Sequence, residues 1–277
     1  MNNKLIYFDN INSTFPDPEI ISVVKSTLES GAGNPSSHIH SAGILAGQIL
    51  DKARENVAAL IGADADAIIF TSGATESNNL AISGFMKAYL NYRLVVSEIE
   101  HYSIINQARK FKSEGRDVVF LKVNETGLID LSCLESALKA GPALVSISPA
   151  NPEIGTIQDI ERIGQICRAH NAILHYDATA AASILQFDTV KMGIGLLTLS
   201  GHNMYAPMGI GALYVSRQIR IAPIFDGGNQ QMGIRPGTEN LSGAAALGVA
   251  SKLILSNREK WNEDLTTLGQ KLWNSLA

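Results

Sequence analysis

The chain has 277 residues, one large domain or two small ones at roughly 150 residues per domain. Apolar side chains make up 45% and charged ones 17%, which supplies a sizeable core and excludes a disordered chain. A net charge of −4, from 22 basic against 26 acidic residues and without a dense basic run, excludes a broad nucleic-acid surface. Cys133 and Cys167 are too few for a disulfide framework or a four-cysteine zinc site, and both lie in helix-like stretches where a small buried thiol is the expected role. The N-terminal MNNKLIYFDN has no apolar signal core, and no segment approaches the ~20 apolar residues of a membrane span, so a soluble cytoplasmic protein is expected.

From about residue 50 to 216, short apolar runs alternate with segments of helical period. The runs Ala67–Phe70, Leu94–Ser97, Val118–Val123, Leu144–Ser148, Ile173–Tyr176, Leu196–Ser200 and Gly211–Val215 predict strands. Thr75–Tyr89, Ile104–Glu114, Leu131–Ala140 and Ile160–His170 place apolar residues every three or four positions and predict helices. After Thr238 the chain reads as helical to its end. Buried runs separated by amphipathic helices imply an α/β fold, a mostly parallel seven-stranded sheet with helices on both faces. Ligands in such sheets bind at the carboxyl ends of strands.

Those strand ends carry the informative residues. Phe70-Thr71-Ser72-Gly73-Ala74-Thr75-Glu76-Ser77-Asn78-Asn79 runs from a strand through a small-residue turn into a helix, whose first N–H groups could hold a phosphate or merely be capped. His101, in Ser97-Glu98-Ile99-Glu100-His101-Tyr102-Ser103, lies where an imidazole could stack on a flat ligand or cap the next helix. Asp177 ends the apolar run of His175-Tyr176-Asp177-Ala178 and needs a partner to offset its desolvation, either a protonated heterocyclic nitrogen or a structural cation. Ser200-Gly201-His202-Asn203 is a strand end entering a tight turn inside a glycine-rich zone, Gly193–Gly211, and Gly227–Gly237 is a second such zone, closing on Arg235-Pro236-Gly237-Thr238-Glu239-Asn240.

Together with Phe8-Asp9-Asn10, Pro16-Asp17-Pro18-Glu19 and Gly33-Asn34-Pro35-Ser36-Ser37-His38, these segments resemble, in order, the cysteine desulfurases, class V members of the fold-type I pyridoxal-phosphate enzymes. The resemblance implies an N-terminal arm (1–20), the large domain of that fold (21–258) and a terminal helix (259–277) leading into a small domain that is largely missing. It implies pyridoxal 5′-phosphate held through Ala74 and Thr75 with Ser200 and His202, His101 stacked on the ring, and Asp177 at the ring nitrogen. That pairing keeps the ring protonated and able to withdraw electrons. Thr238 would reach the phosphate of a neighbouring subunit in a homodimer, with Arg235 near the contact.

The chain also departs from the family pattern. Asn203 stands where the family has the lysine whose amine joins the cofactor aldehyde, and an amide nitrogen, delocalised into its carbonyl, can do neither that nor useful base catalysis. Pro152 and Ala180 replace an asparagine and a glutamine that contact the cofactor, while Ala206 and Met208 stand at positions often held by glycine and lysine. The sulfur-accepting cysteine of the family lies in the small domain, and neither Cys133 nor Cys167 matches it. The expectation is a degenerate desulfurase-like protein, with the cofactor noncovalent if present. It would act by dimerisation, with itself or a related chain, or with a sulfur-acceptor or iron–sulfur assembly protein. The competing readings are an enzyme whose partner chain supplies the lysine, the cysteine or both, and a truncated gene product.

Overall fold

A computed structural model describes residues 6–276. One seven-stranded sheet runs through the molecule in the order β1-β7-β6-β5-β4-β2-β3. The strands are β1 (Ile68–Thr71), β2 (Arg93–Ser97), β3 (Val118–Leu121), β4 (Ala143–Ile147), β5 (Ile173–Asp177), β6 (Leu196–Ser200) and β7 (Gly211–Val215). All are parallel except β7, which pairs antiparallel with both β1 and β6. The expected mostly parallel sheet is therefore present, each strand within a residue or two of its apolar run.

The helices are α1 (Pro18–Glu29), α2 (Ser41–Ile61), α3 (Ala74–Asn79), α4 (Phe85–Ala88), α5 (Tyr102–Ser113), α6 (Leu131–Lys139), α7 (Ile160–Ala169), α8 (Thr189–Met192) and α9 (Leu241–Leu276). Alternation along the strands divides the core in two. Ile68, Phe70, Val95, Val145, Leu174 and Leu197 point to one face, under α1, α2, α6, α7 and α9. Ile69, Leu94, Val96, Leu144, Leu196 and Leu213 point to the other, under α4 and α5. A sheet apolar on both faces needs cover on both, which is why the strands read as continuous apolar runs.

The expected helix Thr75–Tyr89 is α3 and α4 joined by a π-helical turn, Leu80–Gly84. A Cβ on Gly84 would lie 2.7 Å from the Ala222 carbonyl oxygen, so the turn brings the helix backbone against that loop. The boundary expected near residue 258 falls inside the continuous helix α9, and that expected near 20 falls inside α1. Residues 1–5 of the arm and Ala277 lie outside the described residues.

Candidate functional site

Because β1, β6, β5, β4 and β2 run in one direction, Thr71, Ser200, Asp177, Ile147 and Ser97 end on one edge of the sheet. Thr71 and Ser200 both lie opposite Gly211 of β7, one on each side. A Cβ on Gly211 would come within 2.7 Å of the Gly73 Cα and 2.8 Å of the Leu199 carbonyl oxygen. Only glycine lets the turn after β1 sit this close to β6.

Gly73 itself has φ 150° and ψ −175°, a conformation side-chain-bearing residues avoid. Across the turn the Thr71 and Ser77 hydroxyls are 2.7 Å apart, and the Ser72 N–H donates to Glu76 at 2.8 Å. Glu76 also takes Arg235 Nε at 2.7 Å, which ties α3 to the second glycine-rich zone. Burial opposes ionisation of Glu76, but the hydrogen bonds from Arg235 and Ser72 outweigh it and hold the carboxyl below its ordinary range. Ala74 and Thr75 thus open α3 with their N–H groups in its first turn, where a helix offers no internal acceptor.

Asp177 is buried at the end of β5. Its Oδ1 accepts from Thr179 Oγ1 (2.6 Å) and Thr179 N (3.1 Å), and its Oδ2 accepts from Asn78 Nδ2 (2.8 Å). Asn78 Nδ2 donates equally to Ser103 Oγ (2.8 Å), and Ser103 Oγ lies 2.8 Å from His101 Nδ1. A relay of hydrogen bonds therefore joins His101, Ser103, Asn78 and Asp177 across the strand ends. His101 caps α5 by accepting from the Ser103 N–H, so the capping alternative holds. Its ring is nonetheless exposed at the same edge.

Ser200, His202 and Asn203 lie on the turn after β6, and that turn is fastened by the N-terminal arm. Thr14 donates to the His202 carbonyl through its N–H (2.7 Å) and its hydroxyl (2.8 Å), and the hydroxyl accepts from the Tyr205 N–H (2.8 Å). Asn203 Nδ2 donates to the Ile11 carbonyl at 2.8 Å. Three enclosed polar atoms on this turn have no hydrogen-bond partner: Ser200 Oγ, His202 Nδ1 and Asn203 Oδ1.

Two buried groups beneath the site are strongly perturbed. Glu100, next to His101, accepts from Ser148 N (3.0 Å) and Ser148 Oγ (2.5 Å), linking the ends of β2 and β4. Burial pushes its carboxyl up to about 8, the Ser148 hydrogen bonds opposing and the nearby Asp177 charge adding to the rise. His175 bridges Ser146 Oγ (2.8 Å) and Thr198 Oγ1 (3.1 Å), and burial lowers it to about 4, so it is neutral near pH 7.

The structure thus brings Ala74, Thr75, His101, Asp177, Ser200 and His202 to one edge. Thr238 is exposed on the loop before α9, and among the described residues no hydrogen bond ties it to that cluster. Pro152 sits in a turn closed by Asn151, whose Oδ1 accepts from Glu153 N (2.9 Å) and Ile154 N (3.2 Å). Asn78, Ser103 and Glu100 carry no signal of their own in the sequence, although each lies inside a segment that stands out for another residue.

The Aminotransferase class-V family matches residues 6–276. The chain belongs to this family. Among curated relatives, the mitochondrial cysteine desulfurase of Eremothecium gossypii is 41% identical over 275 residues, covering 98% of this chain and 56% of that one. The cysteine desulfurase IscS of Shewanella pealeana is 39% identical over 277 residues, with 98% and 69% covered. The chain therefore spans between about half and two thirds of the length of these relatives. Among solved structures, a NifS-like protein superposes with a TM-score of 0.95 at 29% identity, over 99% of this chain and 76% of that one. DndA from Streptomyces lividans gives 0.87 at 30% identity, over 98% and 78%.

Class-V aminotransferases depend on pyridoxal phosphate, and the site admits that group in part. Ser200 Oγ and His202 Nδ1, enclosed and unpartnered, suit a phosphate beside the Gly73 turn, and Asp177 suits a protonated ring nitrogen. When bound, the cofactor supplies an electron-withdrawing ring. Covalent anchorage does not fit, because Asn203 offers an amide already committed to Ile11.

Proposed function

We propose that this chain is a cysteine-desulfurase-like protein that binds a pyridoxal-phosphate-type ligand without a covalent link and has no desulfurase activity on its own. Ala74, Thr75, Ser200 and His202 hold the phosphate, Asp177 the ring nitrogen and His101 the ring face; Thr238 serves a neighbouring subunit's phosphate. One observation carries the reading: residue 203 is an asparagine whose amide nitrogen is spent on the Ile11 carbonyl. The residues around it build a cradle, but the group that would capture an aldehyde is absent from it.

The chain then acts by association, as a homodimer or with a related chain, a sulfur-acceptor or an iron–sulfur assembly protein. Leu265, Leu268, Leu272 and Trp273 are more than half exposed on α9, an apolar stripe of the kind that finds cover in an assembly. The division into arm (1–20), large domain (21–258) and terminal helix (259–277) is part of this proposal, the arm serving to fasten the turn at 202–205. So is a cytoplasmic location, supported by two cysteines that are both free thiols. Among the described residues no helix is long and apolar enough to cross a membrane.

The test is absorption spectroscopy with added pyridoxal phosphate, then dialysis and borohydride treatment. The expected result is a ligand signal lost on dialysis, no stoichiometric borohydride-trapped adduct on any one lysine of the chain, and no sulfide released from cysteine. A stoichiometric adduct trapped on a single lysine, or sulfide release by the purified chain, overturns the proposal. Light scattering is expected to give a mass above 29.6 kDa, the monomer.

A further inference from the structure

Resting on that reading, we infer that the ligand this site selects is the aminomethyl form of the vitamin, pyridoxamine 5′-phosphate, rather than the aldehyde, and that Asn203 makes the selection. Three enclosed polar atoms within four residues of the turn after β6 have no partner, a condition buried polar groups avoid unless a ligand completes them. They are not chemically alike. A serine hydroxyl and an imidazole nitrogen can each donate, which suits the oxygens of a phosphate. The third, Asn203 Oδ1, can only accept.

The orientation of that amide is fixed by its other end. Nδ2 lies 2.8 Å from the Ile11 carbonyl oxygen, and a flipped amide would set two acceptor oxygens against each other there. The Ile11 carbonyl is held in turn by the arm, which Thr14 fastens to both sides of the turn. With position 203 assigned to the lysine of the family, the unpartnered atom of this side chain, turned away from Ile11, is an acceptor oxygen where the family has an amine. An aldehyde meets it oxygen to oxygen, without a proton between them. An aminomethyl group, carrying an ammonium with three donors, satisfies it. The replacement of lysine by asparagine thus changes which ligand form the site prefers, in addition to removing an attachment point.

The experiment is calorimetric titration of the full chain with pyridoxamine 5′-phosphate, pyridoxal 5′-phosphate and inorganic phosphate. Pyridoxamine phosphate is expected to bind about tenfold more tightly than pyridoxal phosphate, the worth of one charge-assisted hydrogen bond. Asn203→Asp, which keeps an acceptor, is expected to retain or widen the ratio. Asn203→Leu is expected to bring the ratio to about one while leaving the affinity for inorganic phosphate unchanged, with circular dichroism confirming the fold of each variant. Equal or tighter binding of the aldehyde by the unmodified chain overturns this inference alone, as does an unchanged ratio in folded Asn203→Leu. Binding of neither vitamin form overturns the proposed function as well. The comparison on the unmodified chain is decisive even if a variant does not fold.

Discussion

Asn78 and Asp177, 99 residues apart in the chain, share a 2.8 Å hydrogen bond from Nδ2 to Oδ2. The bond joins α3, which follows the turn after β1, to the carboxylate at the end of β5, so one amide ties the two halves of the candidate site together. Both residues are buried, which excludes water as a ready replacement donor.

Asn78→Leu keeps the approximate volume but leaves both Asp177 Oδ2 and Ser103 Oγ without their donor. The expected loss is about 2–4 kcal/mol, the cost of stranding one buried charged acceptor and one hydroxyl, read by urea unfolding. Asn78→Asp, placing two carboxylates together, is expected to cost more at pH 8 than at pH 5. Equal stability of the three proteins at both pH values would show that the relay contributes nothing.

Thr14→Val removes the hydroxyl that donates to the His202 carbonyl and accepts from Tyr205, while the backbone N–H still reaches His202. Tyr205 adopts φ 62°, an unfavourable value for a residue with a side chain, so its N–H contact helps to hold a strained turn. A loss of about 1–2 kcal/mol is expected. Hydrogen exchange is expected to accelerate at residues 202–206 before it does elsewhere.

Asn203→Lys is expected to create a borohydride-trappable link to pyridoxal phosphate yet to release no appreciable sulfide from cysteine. The reason lies in the two thiols. Cys167 is buried and its thiol is pushed up to about 12, chiefly by desolvation, so it stays protonated. Cys133 is exposed but hydrogen-bonded to Asp130, which raises it as well. Rapid sulfide production by this variant would contradict that assignment.

Stability should depend on pH through His175 and Glu100, with opposite signs. His175 falls from 6.5 to about 4 on folding, chiefly by desolvation, so its contribution is complete above pH 6.5 and is lost as pH falls towards 4. Glu100 rises from 4.5 to about 8, so its contribution is complete below pH 4.5 and is lost as pH climbs through 8. Denaturation of His175→Gln is expected to show a flatter profile between pH 4 and 6.5, and Glu100→Gln a flatter one between 4.5 and 8. Profiles parallel to the unmodified protein would remove either assignment.

The sheet was legible because each strand is buried on both faces and so advertises itself as an unbroken apolar run; Leu196–Ser200 and Gly211–Val215 agree with β6 and β7 to the residue. The antiparallel direction of β7 was not legible, since direction leaves no mark on an apolar pattern. Nor was the π-helical turn at Leu80–Gly84, which answers to a contact with Ala222 well over a hundred residues away. In the site, residues such as Thr75 and Asp177 were visible from their place at predicted strand ends. Asn78 and Ser103 were not, because their roles consist of partners brought close only by folding. The unpartnered Asn203 oxygen is likewise a property of the arm's path, which no local motif encodes.

The position of β7 also orders the birth of the molecule. Among the described residues β1, an edge strand, pairs only with β7, whose first residue is Gly211. At a synthesis rate of about 5–20 residues per second, β1 waits on the order of 10 s for its neighbour. Until β7 arrives, that strand offers unpaired N–H and C=O groups to any neighbouring chain.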